Sequence, residues 1–510
     1  MLDAVRVKIN NLYTNNIMKY VIVGGGISGL YAALTLVDIH KINPTDIVVF
    51  EKSHRWGRRV HTLEKDGIKY ECAASRFTKN HKLLFELVRR YNLTDKLIQL
   101  SNKTQNRQIL NEKIMIPTNL EPYFEKLYAI QHNRDTLIGK TLFDVATEMF
   151  GIEIATLLKS AYGYDDDFKI VGAYDNIKLA RLMNDDIYYV MNGGLEQIID
   201  HMVAELKTRG VKLQLHTKCI GWQNDDKGNA IVSITDFKGL DKAVRCEKII
   251  LALDKWGLLQ IKELEPIYNL LDSVSIIPLT RIYARFPIDT NTGFAWFHGI
   301  PKTTTNLPLR MFIPIDETNG FCMISYSDGY HASQWQNDFM TSDLDNIVMT
   351  YIRQLFPEKN IPDALWIQKL HWANAVHGWK PLINSDLVYE QIQNPFHNVF
   401  ICGEAYSRWQ GWIEGALETA LEVSSKVVLS ENNKTRLFSM DEITQSINLT
   451  IIENRVYDLS KMDWLNKHPG GDIIKKAVGV DSTHMFKYIG HPAYVMNILE
   501  DLYVGDLIVK

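Results

Sequence analysis

The run YVIVGGGISGLYAALTL, from Tyr20 to Leu36, constrains this chain more than any other stretch. A β-branched apolar segment reads as a buried strand, glycines interrupt it, and the residues after Gly29 take up helical spacing. The segment DIVVFEK then reads as a second strand, with Glu51 at its end. Gly24, Gly26 and Gly29 thus form GxGxxG inside a βαβ unit. The first glycine permits a tight turn, the second lets the backbone approach a pyrophosphate, and the third lets helix and strand pack closely. Glu51 can accept hydrogen bonds from ribose hydroxyls. With strand, helix and acid in register, the motif predicts a dinucleotide site.

A chain of 510 residues is too long for one compact core, so two to four domains are expected. A formal charge of -4, from 56 basic and 60 acidic residues mixed along the chain, provides no electrostatic footprint for nucleic acid. Cys72, Cys219, Cys246, Cys322 and Cys402 lack CxxC or zinc-like spacing, which favours reduced thiols and an intracellular compartment. No signal-type segment opens the sequence and no run of 18 apolar residues occurs, so a cytoplasmic protein without membrane anchor is expected.

Helical spacing recurs between 82 and 160, and alternating segments suggest sheets at 211–253 and 279–327. The run 398–428 reads as strand, polar loop and helix. A polar stretch, 430–436, reads as a linker. Residues 437–510 form a separate unit, small enough to need something that staples its core.

EKSHRWGRRVHT (51–62) resembles the ExxxxxGGRxxT motif of the flavin amine oxidase superfamily, matched at Glu51, Gly57, Arg59 and Thr62. Arg58 stands at the second glycine; if the backbone there needs a positive φ, the departure costs roughly 1 to 2 kcal/mol. A second superfamily signature is similar to Cys402-Gly403-Glu404 followed by Gly411-Trp412-Ile413-Glu414-Gly415-Ala416. The resemblance implies an α/β (α+β) Rossmann-type FAD-binding domain with substrate and helical subdomains over 18–429. FAD-binding parts fall at about 18–76, 190–265 and 395–429, and substrate and helical parts at about 77–189 and 266–394. It places Gly24, Gly26, Gly29, Glu51, Gly57, Arg59, Glu404, Gly411 and Ile413 against FAD.

Within the superfamily the likeness runs to L-amino-acid oxidases. AASRFTKNHKLLFELVRRYNL (73–93) resembles the segment that carries the substrate-clamping arginine, here Arg76. A planar fork matches a carboxylate bidentately. The strand ending ISYSDG makes Tyr326 a second carboxylate contact, and Trp412 one wall of the pocket. The superfamily's flavin-side lysine is matched by Arg281, which stays protonated and cannot act as a base. His298, His371 and His377 take no assignment.

Residues 437–510 resemble cytochrome b5, a small α+β haem domain, with His468 in KHPGG and His491 in IGHPAY as axial ligands. Pro469 fixes the chain beside the ligand, and Gly470 and Gly471 let the backbone turn where a side chain would meet the porphyrin. Leu465, Ile474, Val478, Phe486 and Leu499 are expected to line the pocket. Two histidines could instead hold zinc, but no further ligand of suitable spacing is visible. Two protein ligands would leave haem b iron no open position, which suits electron transfer.

The combined expectation is an FAD-dependent oxidoreductase that acts on the amine of an L-amino acid by hydride transfer to flavin, with a fused haem domain for electron transfer and oxygen or a redox protein as acceptor. A monoamine or polyamine oxidase, and a non-catalytic flavin and haem electron-transfer or scaffold protein, stand as alternatives.

Overall fold

The computed structural model describes residues 17–508, except 101–102, 112, 118, 131–132, 184–186, 226–227, 338–342, 433–435, 453, 490–498 and 500–501. Two compact units result, Met1–Ser424 and Ser425–Lys510.

The first unit is built around a mixed sheet drawn from three distant parts of the chain. Its parallel portion runs Lys212–Gln214, Ile47–Phe50, Met18–Val23, Asp241–Leu251 and Val399–Ile401, in register through Val21↔Val48, Val21↔Ile249 and Ile250↔Phe400. Thr217–Asn224 and Ala230–Asp236 extend it antiparallel. Val21, Ile22, Val49, Ile249 and Ile250 are fully buried, as a strand covered on both faces requires. Helix Ile27–Asp38 packs its Leu30, Ala33 and Leu34 into that core.

A second sheet runs Trp366–Trp379, Val274–Arg285, Phe321–Asp328, Met311–Asp316, Lys302–Thr305, Thr104–Leu110 and Lys113–Met115. Its pairs are antiparallel except for Lys302–Thr305 against Thr104–Leu110. This register sets Arg281 directly opposite Tyr326. A small sheet pairs Phe77–Thr78 with Tyr188–Met191, and so brings the segment after Arg76 beside Tyr188. Between them, helices Leu142–Phe150, Ile152–Tyr162, Asp165–Lys169 and Ala173–Leu182 share an apolar core that includes Leu142, Leu158, Phe168 and Ile177. Thr141 and Asp144 close a capping box at the start of the first of these.

In the second unit, Arg436–Phe438, Tyr503–Leu507, Arg455–Asp458 and Leu449–Ile452 form one sheet, and Ser439 with Glu442 caps the helix Met440–Thr444. Short helices Trp464–Lys467 and Thr483–Ile489 flank an apolar cluster. Helix Ile413–Asn432 overlaps the segment read as linker from its polar composition, because three polar residues do not end a helix whose buried face is already seated. Among the described residues no helix is long and apolar enough to cross a membrane.

Candidate flavin and haem sites

The carboxyl ends of the parallel strands open onto one cavity of about 970 Å³, lined at one end by Gly24, Gly26 and Glu51 and at the other by Arg76, Arg281 and Tyr326. The three motif glycines differ in what surrounds them. Gly24 has φ +111°, and a Cβ there would lie 2.3 Å from the Ala252 carbonyl oxygen. A Cβ on Gly29 would meet the Gly24 carbonyl oxygen at 2.0 Å, so this residue seals helix to strand and does not line the cavity. At Gly26 a Cβ would meet nothing within 4 Å. That open, backbone-lined space at a helix N-terminus is what a pyrophosphate needs.

Glu51 is buried, and its carboxylate accepts the Gly25 N–H and the Ser53 N–H, both at 2.8 Å. It remains on the cavity wall. Arg58 adopts φ +42°, so a non-glycine residue does occupy a left-handed position in the motif. Its carbonyl accepts a 2.6 Å hydrogen bond from Arg55 Nη1.

Arg59 Nη1 donates to Glu404 Oε2 at 2.8 Å and to the Ala375 carbonyl at 2.6 Å. Glu404 also accepts the His377 and Gly411 N–H groups, and His377 Nδ1 lies 2.8 Å from its Oε2. Burial opposes ionisation of Glu404, but the His377 ring and the Arg59 guanidinium hold its carboxyl far below the usual range. His377, a cavity-lining residue, has a buried Nε2 with no partner among the described residues. Such an orphaned polar atom calls for a ligand or water. Gly57, Trp412 and Ile413 line the same wall. The open cradle at Gly26, the acid at Glu51 and the unpartnered Nε2 of His377 fit FAD.

At the far end, Arg76 Nη2 donates to the Tyr164 hydroxyl at 2.9 Å. Its guanidinium lies 4.9 Å from the Tyr188 ring centroid and 6.0 Å from that of Trp412. Arg281 sits 4.7 Å from the Tyr326 ring centroid, with Nη2 3.3 Å from the Tyr326 hydroxyl. The Tyr164 and Tyr326 rings meet edge to face at 5.4 Å. Burial alone would push the Tyr326 phenol up, but Arg281, and Arg76 beyond it, bring it below its ordinary value. Tyr164 goes the other way, raised by burial against the opposing charge of Arg76. Half-buried Glu71, whose carboxylate accepts the Leu195 N–H, is pushed up to about 7 by desolvation.

All four residues expected at the substrate end, Arg76, Arg281, Tyr326 and Trp412, line this cavity. Tyr164, Tyr188, Lys302 and His377 line it too and were not assigned from sequence. Each is a single aromatic, basic or histidine residue with no motif around it.

In the second unit, His468 Nδ1 accepts the Gly470 N–H at 3.0 Å, and the Trp464 ring packs edge-on against the imidazole. A Cβ on Gly470 would come within 3.0 Å of the His468 ring, which explains the glycine. Leu465, Ile474, Val478, Phe486 and Leu499 belong to one apolar cluster. This half of the site fits haem. His491 lies outside the described residues.

Fold and sites together define a flavin-dependent oxidoreductase with an added haem-binding unit. Residues 129–428 match the flavin containing amine oxidoreductase family, and the chain belongs to it. Residues 22–91 match an NAD(P)-binding Rossmann-like domain, and 443–508 match the cytochrome b5-like heme/steroid binding domain. The family binds FAD and the b5-like domain binds haem. Relatives include an L-amino-acid oxidase of Crotalus adamanteus, 23% identical over 482 residues that cover 82% of this chain and 89% of the relative. The L-amino-acid oxidase apoxin-1 of Crotalus atrox is 23% identical over 475 residues, again 82% of this chain and 89% of the relative. Cytochrome b5 of Nicotiana tabacum is 35% identical over 79 residues, 14% of this chain and 57% of that protein.

Proposed function

We propose that the chain oxidises the α-amine of an L-amino acid to an imine, which water hydrolyses to a 2-oxo acid and ammonia. The observation that carries this reading is Arg76: a guanidinium with no carboxylate within salt-bridge distance among the described residues, backed by Tyr164 and Tyr188, in the cavity that begins at the glycine cradle. Such a residue holds a carboxylate by two parallel hydrogen bonds and so fixes the neighbouring carbon in one orientation.

In this reading Tyr326 donates a second hydrogen bond to the carboxylate, and Trp412 and Tyr188 form apolar walls that limit water around the reacting carbon. Arg281 remains a cation and takes no proton; the substrate enters with a neutral amine. FAD supplies hydride-accepting chemistry when bound, and haem supplies one-electron chemistry. Gly24, Gly26, Glu51, Gly57, Arg59, Glu404, Gly411 and Ile413 form the flavin-binding set within 18–429, and Gly29 supports it by closing helix against strand. His468 and His491 hold the haem iron within 437–510. Covalent tethering gives the haem a high effective concentration near the flavin, which favours internal transfer over a second protein acceptor.

The test is Arg76→Ala assayed on an amino acid and on its decarboxylated amine. Loss of amino-acid turnover with the amine unaffected supports the reading. Equal turnover of the amino acid by both proteins sinks it. For the haem, anaerobic reduction of the flavin should reduce the haem within a turnover time, and an oxidised haem over that time would exclude internal transfer.

A further inference from the structure

The substrate end of the cavity holds more positive charge than one carboxylate can balance. Several other cations in this unit sit against carboxylates: Arg59 on Glu404 at 2.8 Å, Arg107 on Glu358 at 2.7 Å, Arg310 on Asp165 at 2.6 Å and Lys255 on Asp272 at 2.9 Å. Arg76, Arg281 and Lys302 all line the cavity, and among the described residues none of them pairs with a carboxylate within 4 Å. The two arginines do have other company. Arg76 donates to the Tyr164 hydroxyl, and Arg281 lies against the Tyr326 ring and donates toward its hydroxyl. The Lys302 ammonium has neither kind of partner among the described residues.

Lys302 opens the strand Lys302–Thr305, in the same sheet that carries Arg281 and Tyr326, with Thr104 as its neighbour across the parallel pairing. It is near enough to Arg76 for the two charges to repel. Two of the acids that line the cavity, Asp328 and Asp167, are committed to other donors. Asp328 accepts the N–H groups of Asp165 and Asp166 at 2.7 and 2.9 Å, and Asp167 accepts the Tyr162 hydroxyl at 2.5 Å. An ammonium left unpaired in a desolvated pocket is costly unless something that binds there carries the opposite charge.

We infer that Lys302 is a specificity residue for the second carboxylate of a dicarboxylic L-amino acid, aspartate or glutamate. This rests on the reading in which Arg76 takes the α-carboxylate. With that group on Arg76 and Tyr326, the substrate side chain points along the wall that Lys302 shares. Its carboxylate supplies the missing counter-charge. Burial and the charge of Arg76 pull the Lys302 amine down to about 7, and an arriving carboxylate opposes both effects by favouring the ammonium.

The experiment compares kcat/KM for L-glutamate and L-aspartate with that for the near-isosteric L-glutamine and L-asparagine, in the holoenzyme and in Lys302→Met. The acids should be preferred in the native enzyme by about 30-fold or more, the range for a buried charge pair against one left unpaired. Lys302→Met should remove that preference and leave turnover of the amides within a few fold. The native comparison needs no variant, so a poorly folded Lys302→Met leaves the inference testable. If no amino acid reduces the flavin, this inference falls together with the role of Arg76. If neutral amino acids are oxidised and the acids are not preferred, the role of Arg76 stands and this inference falls. A uniform loss across acids and amides in Lys302→Met also overturns it, because a side-chain contact cannot act on substrates that lack the contacting group.

Discussion

Arg59 and Glu404, 345 positions apart in sequence, meet at 2.8 Å and tie the first flavin signature to the last. Both Glu404 oxygens face donors: His377 N–H and Gly411 N–H on Oε1, Arg59 and His377 Nδ1 on Oε2. An amide nitrogen in either position would face a donor. Glu404→Gln should therefore lose roughly 3 to 5 kcal/mol, the range for breaking a buried ion pair on one side. Chemical denaturation of the purified variant checks this, and its flavin content should fall with its stability.

Gly26 and Gly29 separate binding from folding. A methyl group at Gly26 meets nothing within 4 Å, whereas one at Gly29 would overlap the Gly24 carbonyl at 2.0 Å. In Gly26→Ala the flavin-free protein should melt within a degree or two of the parent and bind FAD much more weakly. Gly29→Ala should fail to reach the parent's melting temperature with or without FAD. Thermal melts of deflavinated protein and fluorescence titration with FAD distinguish the two.

At Arg58 the φ of +42° is a left-handed conformation that costs a non-glycine residue roughly 1 to 2 kcal/mol. Arg58→Gly relieves that strain but adds about 0.5 to 1 kcal/mol of unfolded-chain entropy. The net expectation is a stabilisation of about 1 kcal/mol or less. A denaturant midpoint that moves down would show that the long contact from Arg58 to Asp254, 3.8 Å, matters more than the backbone.

His81 is fully buried between Trp409 and Trp412, and desolvation pulls its pKa down to about 4 from 6.5. The unfolded chain therefore binds a proton that the folded one refuses throughout pH 6.5 to 4. Stability should fall as pH drops through that window, by about 2 to 3 kcal/mol at pH 4.5. His81→Asn, which keeps an acceptor in place of Nδ1, should flatten this part of the pH profile. Denaturation curves at pH 7 and 4.5 for both proteins provide the comparison.

His468→Ala should abolish the haem absorption band and leave the flavin spectrum intact. Gly470→Ala presents a milder test, since its Cβ would press on the His468 ring at 3.0 Å and on Ile473 at 2.9 Å. A shifted or weakened haem band with normal flavin content is expected, and an unchanged spectrum would remove His468 from the iron.

Much of the fold was legible because its signals are short-range. A glycine pattern, an apolar strand and an acid at the strand end can be read within about thirty residues. The same holds for the glycine beside His468. The extent of helix Ile413–Asn432 was less legible, because a polar composition marks an end only when nothing distant holds the helix in place. Tyr164, Tyr188, Lys302 and His377 were invisible as site residues for a similar reason. Each belongs to the cavity through where its strand or helix is docked.

By itself, then, the sequence determined the two kinds of cofactor fold and the turns that cradle a dinucleotide, since backbone conformation there depends on a handful of consecutive residues. Tertiary structure alone decided that Arg281 stands opposite Tyr326, that Glu404 gathers Arg59 and His377, and that Arg76 and Lys302 line one cavity. Those encounters depend on strand register and packing between segments from tens to hundreds of residues apart, and in a strand a shift of one residue turns every side chain to the other face.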